Sequence, residues 1–154
     1  MRSILESFEV KQVQLVTTYD ETAQILKNRT FDCIFMDNMM SPKNGLELTT
    51  YIRHLQDQKK RAIPIILCTA FTGLKSIIQA RDAGVTEVLS KPVSPEQIMR
   101  KMTNALFNQR TFIDTGIYSG PDRRRRIRDY NGDKDRRGSP IPLPSVNQDP
   151  QEDQ

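Results

Sequence analysis

The sequence predicts an α/β fold, a doubly wound parallel sheet followed by a C-terminal tail with no core of its own. Three observations lead there. Short apolar or β-branched runs at 13–18, 31–36, 64–69 and 86–89 alternate with segments whose apolar residues recur at helical spacing. The runs at 31–36 and 64–69 are almost continuously apolar, as strands covered on both faces are. From Ser119 onward the chain turns rich in Pro, Gly and clustered charge, with few residues able to build a core.

Met1, Ile4, Leu5 and Phe8 share one helical face, so the chain opens in a helix. Val13–Thr18 is β-branched and short and reads as a strand. Asp20 is placed to cap a helix through Lys27, with Ala23 and Leu26 inward. Phe31–Met36 is the next strand. A helix is expected over Leu46–Gln58, with Leu48, Ile52 and Leu55 as its stripe. His54, in mid-helix, reads as a solvated side chain. Pro64–Thr69 is a strand, and Gly73–Ala83 a helix stopped by Gly84. Thr86–Leu89 is a short strand. Ser94-Pro95-Glu96-Gln97 is a capping box with Pro at the first helical position, opening a helix that turns Ile98, Met102, Ala105 and Leu106 inward. Strict alternation of this kind implies parallel strands joined by right-handed crossovers, with helices on both faces.

The chain has 154 residues and a formal net charge of +4. Residues 1–118 hold 15 Lys and Arg against 12 Asp and Glu, an ordinary soluble surface, not a nucleic-acid-binding one. Residues 119–154 hold 8 against 7, with four consecutive arginines at 123–126. The boundary is placed after residue 118, and 119–154 is expected to be a disordered Arg- and Pro-rich tail. Acidic neighbours Asp122 and Asp129 weaken its field, so a solvated tail is preferred to a nucleic-acid-binding one. Cys33 and Cys68 both lie in apolar runs, as buried free thiols do in a reducing compartment. Neither a membrane span nor a signal peptide is apparent, so a cytoplasmic location without membrane contact is expected.

In doubly wound sheets ligands bind beyond the carboxyl ends of the strands. Three polar residues fall at that edge. Asp37 closes the run Phe31–Met36 and is followed by Asn38-Met39-Met40-Ser41-Pro42-Lys43-Asn44-Gly45. Thr69 ends Ile65-Ile66-Leu67-Cys68, and Lys91 follows Val88-Leu89-Ser90 and precedes Pro92. A carboxylate can accept a phosphoryl group as an acyl phosphate, an ammonium can neutralise one phosphoryl oxygen, and a hydroxyl can hydrogen-bond another. No Gly-rich phosphate loop or catalytic triad signature accompanies them, and the chain is not expected to be an enzyme.

Over residues 1–107 this order and spacing resemble the receiver domain of bacterial two-component response regulators. The resemblance implies a flavodoxin-like fold with Asp37 as phosphoacceptor and Thr69 and Lys91 contacting the phosphate. It implies a Mg²⁺ ion on Asp37 and the backbone carbonyl of Met39, and a cis Lys91–Pro92 bond. The phosphodonor would be a histidine kinase or a phosphotransfer protein, and the output a contact with another protein. Two departures stand out. Receivers carry a first strand ending in two metal-binding acids, and residue 1 falls where the following helix begins. The Mg²⁺ set is therefore incomplete and the ion weakly held or absent, and an upstream start to the reading frame is expected. The switch position three residues before Lys91 is Val88, not an aromatic. These departures support a rival reading, a phosphorylation-independent pseudo-receiver acting as a binding module.

Overall fold

The computed structural model describes residues 1–40 and 43–124. Among these residues eleven elements follow one another: α1 Arg2–Ser7, α2 Tyr19–Asn28, β1 Ile34–Asp37, α3 Gly45–Arg53, α4 Gln58–Arg61, β2 Ile65–Thr69, α5 Leu74–Asp82, β3 Glu87–Ser90, α6 Pro95–Phe107, β4 Phe112–Asp114 and β5 Ser119–Pro121. The strands β1, β2 and β3 form one parallel sheet in that order, and β4 and β5 an antiparallel hairpin.

β2 is the centre of the molecule. All five of its residues are buried, and its alternate side chains serve opposite faces. Ile65 and Leu67 join Leu26 of α2, Leu48 and Ile52 of α3, and Ala80 of α5. Ile66 and Cys68 join Leu5 of α1, Leu89 of β3, and Ile98 and Ala105 of α6. This two-sided demand is why the run 64–69 shows no polar alternation. In register, Asp37 lies beside Cys68 and Thr69 beside Ser90, so the polar strand ends share one edge.

Local chemistry sets most helix ends. Ser94 and Gln97 make the expected capping box at α6. Asn44 and Glu47 make a second one at α3. Gly84 follows α5 with φ at +91°, the left-handed conformation expected of it. Asp20 is not the cap of α2. Thr18 is, accepting from the Glu21 N–H, while the Glu21 carboxylate accepts from the Thr17 N–H. The predicted helix 46–58 is two helices. The chain tightens at His54 and Leu55, whose N–H groups donate to Tyr51 and Ile52. Asp57 then caps α4 through the N–H groups of Lys59 and Lys60. His54 is solvent-facing, its Nδ1 2.7 Å from the Thr50 carbonyl oxygen.

Two expectations need correction. Residues 13–18 do not form a strand. A strand exists only with a hydrogen-bonded neighbour, and among the described residues none pairs with this segment or with the outer edge of β1. Leu15 is left 65 % exposed. The boundary expected after residue 118 falls inside the hairpin. Ser119, Gly120 and Pro121, expected in the coreless tail, are a buried strand, and the compact unit runs from Met1 to Arg123. The rest of the expected tail, 125–154, lies outside the described residues. Among the described residues no helix is long and apolar enough to cross a membrane.

Candidate functional site

Asp37 and Lys91 meet at the carboxyl edge of the sheet. The Lys91 Nζ donates to Asp37 Oδ2 at 2.5 Å, and the Met39 N–H donates to Asp37 Oδ1 at 2.9 Å. Both carboxylate oxygens therefore have a donor. Burial raises the Asp37 pKa, but the hydrogen bonds from Lys91 and the Met39 N–H, with the Lys91 charge, outweigh it and leave the group below its ordinary value. The pair is about two-fifths exposed on each side, so solvent screens it and leaves it open to an incoming anion.

Ladder bonds hold this geometry. The Asn38 N–H donates to the Cys68 carbonyl and the Lys91 N–H to the Thr69 carbonyl. The Lys91–Pro92 bond is cis, as expected. Gly45 has no room for a side chain. A Cβ there would lie 2.6 Å from the Asp37 carbonyl oxygen, and the Gly45 N–H donates to the Asn38 carbonyl. The absence of a side chain lets α3 begin against the turn that follows Asp37.

Thr69 sits at the same edge, but its hydroxyl faces its own loop, accepting from the Phe71 N–H at 3.0 Å. Asp37 and Lys91 are thus in direct contact, while the Thr69 hydroxyl bonds elsewhere. Val88 is half-buried against the core cluster shared by α2, α3 and α5. Met36 is core, Met39 is exposed, and Met40 packs partly against the same cluster.

The sequence reading missed Asn38. Its Oδ1 is buried and has no hydrogen-bond partner. The signal available was an amide side chain between a strand-ending Asp and two methionines.

Among the described residues the donor set does not complete a magnesium site. Mg²⁺ takes six oxygens in a near-ideal octahedron. The chain offers the Asp37 carboxylate, already held by two donors, and the backbone carbonyl of Met39 two residues on. No group of three or more His, Cys, Asp or Glu able to hold a metal occurs among the described residues.

A parallel sheet with helices on both faces and an Asp–Lys pair at its carboxyl edge defines a receiver-type phosphoryl-accepting module. The sequence bears this out: residues 1–103 match the response regulator receiver domain family, and the chain belongs to it. Protein PetR of Rhodobacter capsulatus is 29 % identical over 124 residues, covering 79 % of this chain and 48 % of PetR. The autoinducer 2 sensor kinase/phosphatase LuxQ of Vibrio parahaemolyticus is 32 % identical over 114 residues, covering 72 % of this chain and 13 % of LuxQ. The chain thus spans less than half the length of these two relatives. Among solved structures, the chemotaxis response regulator CheY4 of Vibrio cholerae superposes with a TM-score of 0.62 at 22 % identity, covering 68 % of this chain and 85 % of CheY4. The receiver domain of the sensor histidine kinase PA1611 of Pseudomonas aeruginosa gives 0.60 at 24 %, covering 68 % and 84 %, and carries a magnesium ion in its active-site cleft.

Proposed function

We propose that Asp37 is the phosphoacceptor of a two-component relay, charged by a histidine kinase or a phosphotransfer protein, and that the output is a contact with another protein. The observation that carries this reading is the Lys91 ammonium 2.5 Å from Asp37 Oδ2 at the carboxyl edge of the sheet. An Asp37 oxygen would attack phosphorus, forming an acyl phosphate as the bond from phosphorus to the donor's leaving atom breaks. Lys91 would neutralise a phosphoryl oxygen in place of Asp37 Oδ2. The Thr69 hydroxyl would have to leave the Phe71 N–H to reach another, a movement by which occupancy could be signalled.

Mg²⁺, when bound, supplies further charge neutralisation in such a transfer. Asp37 and the Met39 carbonyl are the groups this chain would contribute, and no step is routed through the ion. The incomplete donor set supports a second reading, a module that binds its partner without phosphate. One experiment separates them. The chain is incubated with a small phosphodonor across a Mg²⁺ series and assayed for acid-stable, base-labile phosphate. Slow labelling that is lost in Asp37→Asn supports the first reading. Equal labelling of the Asn variant removes Asp37 from the role, and no labelling at any Mg²⁺ concentration favours the second.

A further inference from the structure

The family match ends at residue 103, yet the chain continues into the hairpin β4–β5, a separate two-stranded sheet whose base is bonded to Thr86 just before β3. The feature it closes over is Arg53. This side chain leaves the last turn of α3 and is 1 % exposed. Its Nε donates to the Gly84 carbonyl at 2.8 Å. Its Nη1 donates to the carbonyls of Arg61 and Ile63 at 2.6 and 2.8 Å, and Nη2 reaches Thr86 Oγ1 at 3.4 Å. No carboxylate pairs with it among the described residues, so carbonyl dipoles replace its lost hydration.

The hairpin covers that buried cation. The Phe112 ring lies 5.9 Å from the Arg53 guanidinium carbon, and the Ser119 hydroxyl donates to the Arg53 carbonyl at 2.7 Å. Gly120 and Gly84 meet back to back: a Cβ on Gly120 would stand 2.8 Å from the Gly84 Cα, and one on Gly84 would stand 2.8 Å from the Ser119 carbonyl oxygen. An ion pair from Arg61 to Asp114 at 2.6 Å ties the outer strand of the hairpin to α4. Arg110 closes the base of the hairpin, donating to the Asp122 carbonyl at 2.6 Å and the Thr86 carbonyl at 2.7 Å.

Thr86 is where these bonds converge. Its N–H donates to the Ile65 carbonyl, its hydroxyl accepts from the Ile65 N–H, and its carbonyl accepts from Arg110. β3 starts at the next residue and leads to Lys91. We propose that residues 110–123 form a strap that completes the receiver unit, closing over Arg53 and fixing the start of the strand that leads to Lys91.

The test uses the full chain. In the native protein, trypsin should cut after Arg110 and Arg123 several-fold more slowly than in the same chain unfolded by urea, and the Thr86 amide should exchange slowly. Gly120→Val drives a side chain into Gly84. It should speed cleavage after Arg110 several-fold, lower the melting temperature by several degrees and speed exchange at Thr86. Ile117→Ser, at the 96 % exposed hairpin tip, should change none of these. Should Gly120→Val fail to fold, Arg110→Ala decides, because it removes the bonds to the Asp122 and Thr86 carbonyls without placing a side chain against Gly84. Faster Thr86 exchange in that variant supports the strap. Native exchange at Thr86 together with native cleavage after Arg123 in Arg110→Ala, or rapid cleavage after Arg110 in the native chain, would overturn it.

Discussion

Replacing Gly45 by Ala tests whether the turn after Asp37 is set by backbone contact. Two effects oppose each other. Ala is the better helix former by about 1 kcal/mol in a helix interior, and less at a first position such as this. Against that, the new Cβ would stand 2.6 Å from the Asp37 carbonyl oxygen, 3.0 Å from Leu67 Cδ1 and 3.1 Å from the Asn38 Cα. Two of those neighbours are backbone, and Leu67 is itself buried, so none can swing away cheaply. Overpacking of this kind costs about 1–3 kcal/mol. The net expectation is a loss of about 1–2 kcal/mol, with the melting temperature lowered by roughly 3–5 °C for each kcal/mol in a unit of this size. Because the clash bears on the backbone of Asp37 and Asn38, the Asp37 carboxyl resonance should also shift in a ¹³C NMR titration. Gly73→Ala is the control, since a Cβ there meets nothing within 4 Å. A Gly45→Ala variant that melts at or above the native temperature with an unshifted Asp37 titration would refute the reasoning.

Lys91→Met should raise the Asp37 pKa toward its ordinary value, read by the same titration, and added salt should shrink the difference between the two proteins. The sign follows from the lowered native pKa. The stabilisation is fully present above the unfolded carboxylate pKa of about 4 and is lost as pH falls through the lower native value. Exposure keeps it to a few tenths of a kcal/mol, so a large acid-side difference in melting between the two proteins would contradict this. Burial pushes the Cys33 thiol up to about 12 and the Cys68 thiol up to about 11. Both should therefore react slowly with a thiol reagent at about pH 8, near the free thiol pKa, in the folded chain and fast in denaturant; equal rates would place them at the surface.

What could be read from the sequence alone were features set by near neighbours in the chain. The strand β2 was legible because a strand buried on both faces must be apolar throughout. The capping box of α6 and the stop at Gly84 lie within a few residues of the ends they define. Asp37, Thr69 and Lys91 could be placed at one edge because alternating strands and helices force parallel strands, whose carboxyl ends align. Contact between particular groups was decided only by the tertiary structure. Residues 13–18 have the composition of a strand, but a ladder needs a partner, and no composition supplies one. Asn38 looked like a turn residue until its side-chain oxygen proved buried without a donor. Nothing near Arg53 in the sequence marks it for burial. Its burial depends on carbonyls at residues 61, 63 and 84 and on a hairpin whose second strand, Ser-Gly-Pro, falls in the stretch expected to be a coreless tail. Periodicity reports which face of an element is apolar, whereas these placements depend on groups brought together from distant parts of the chain.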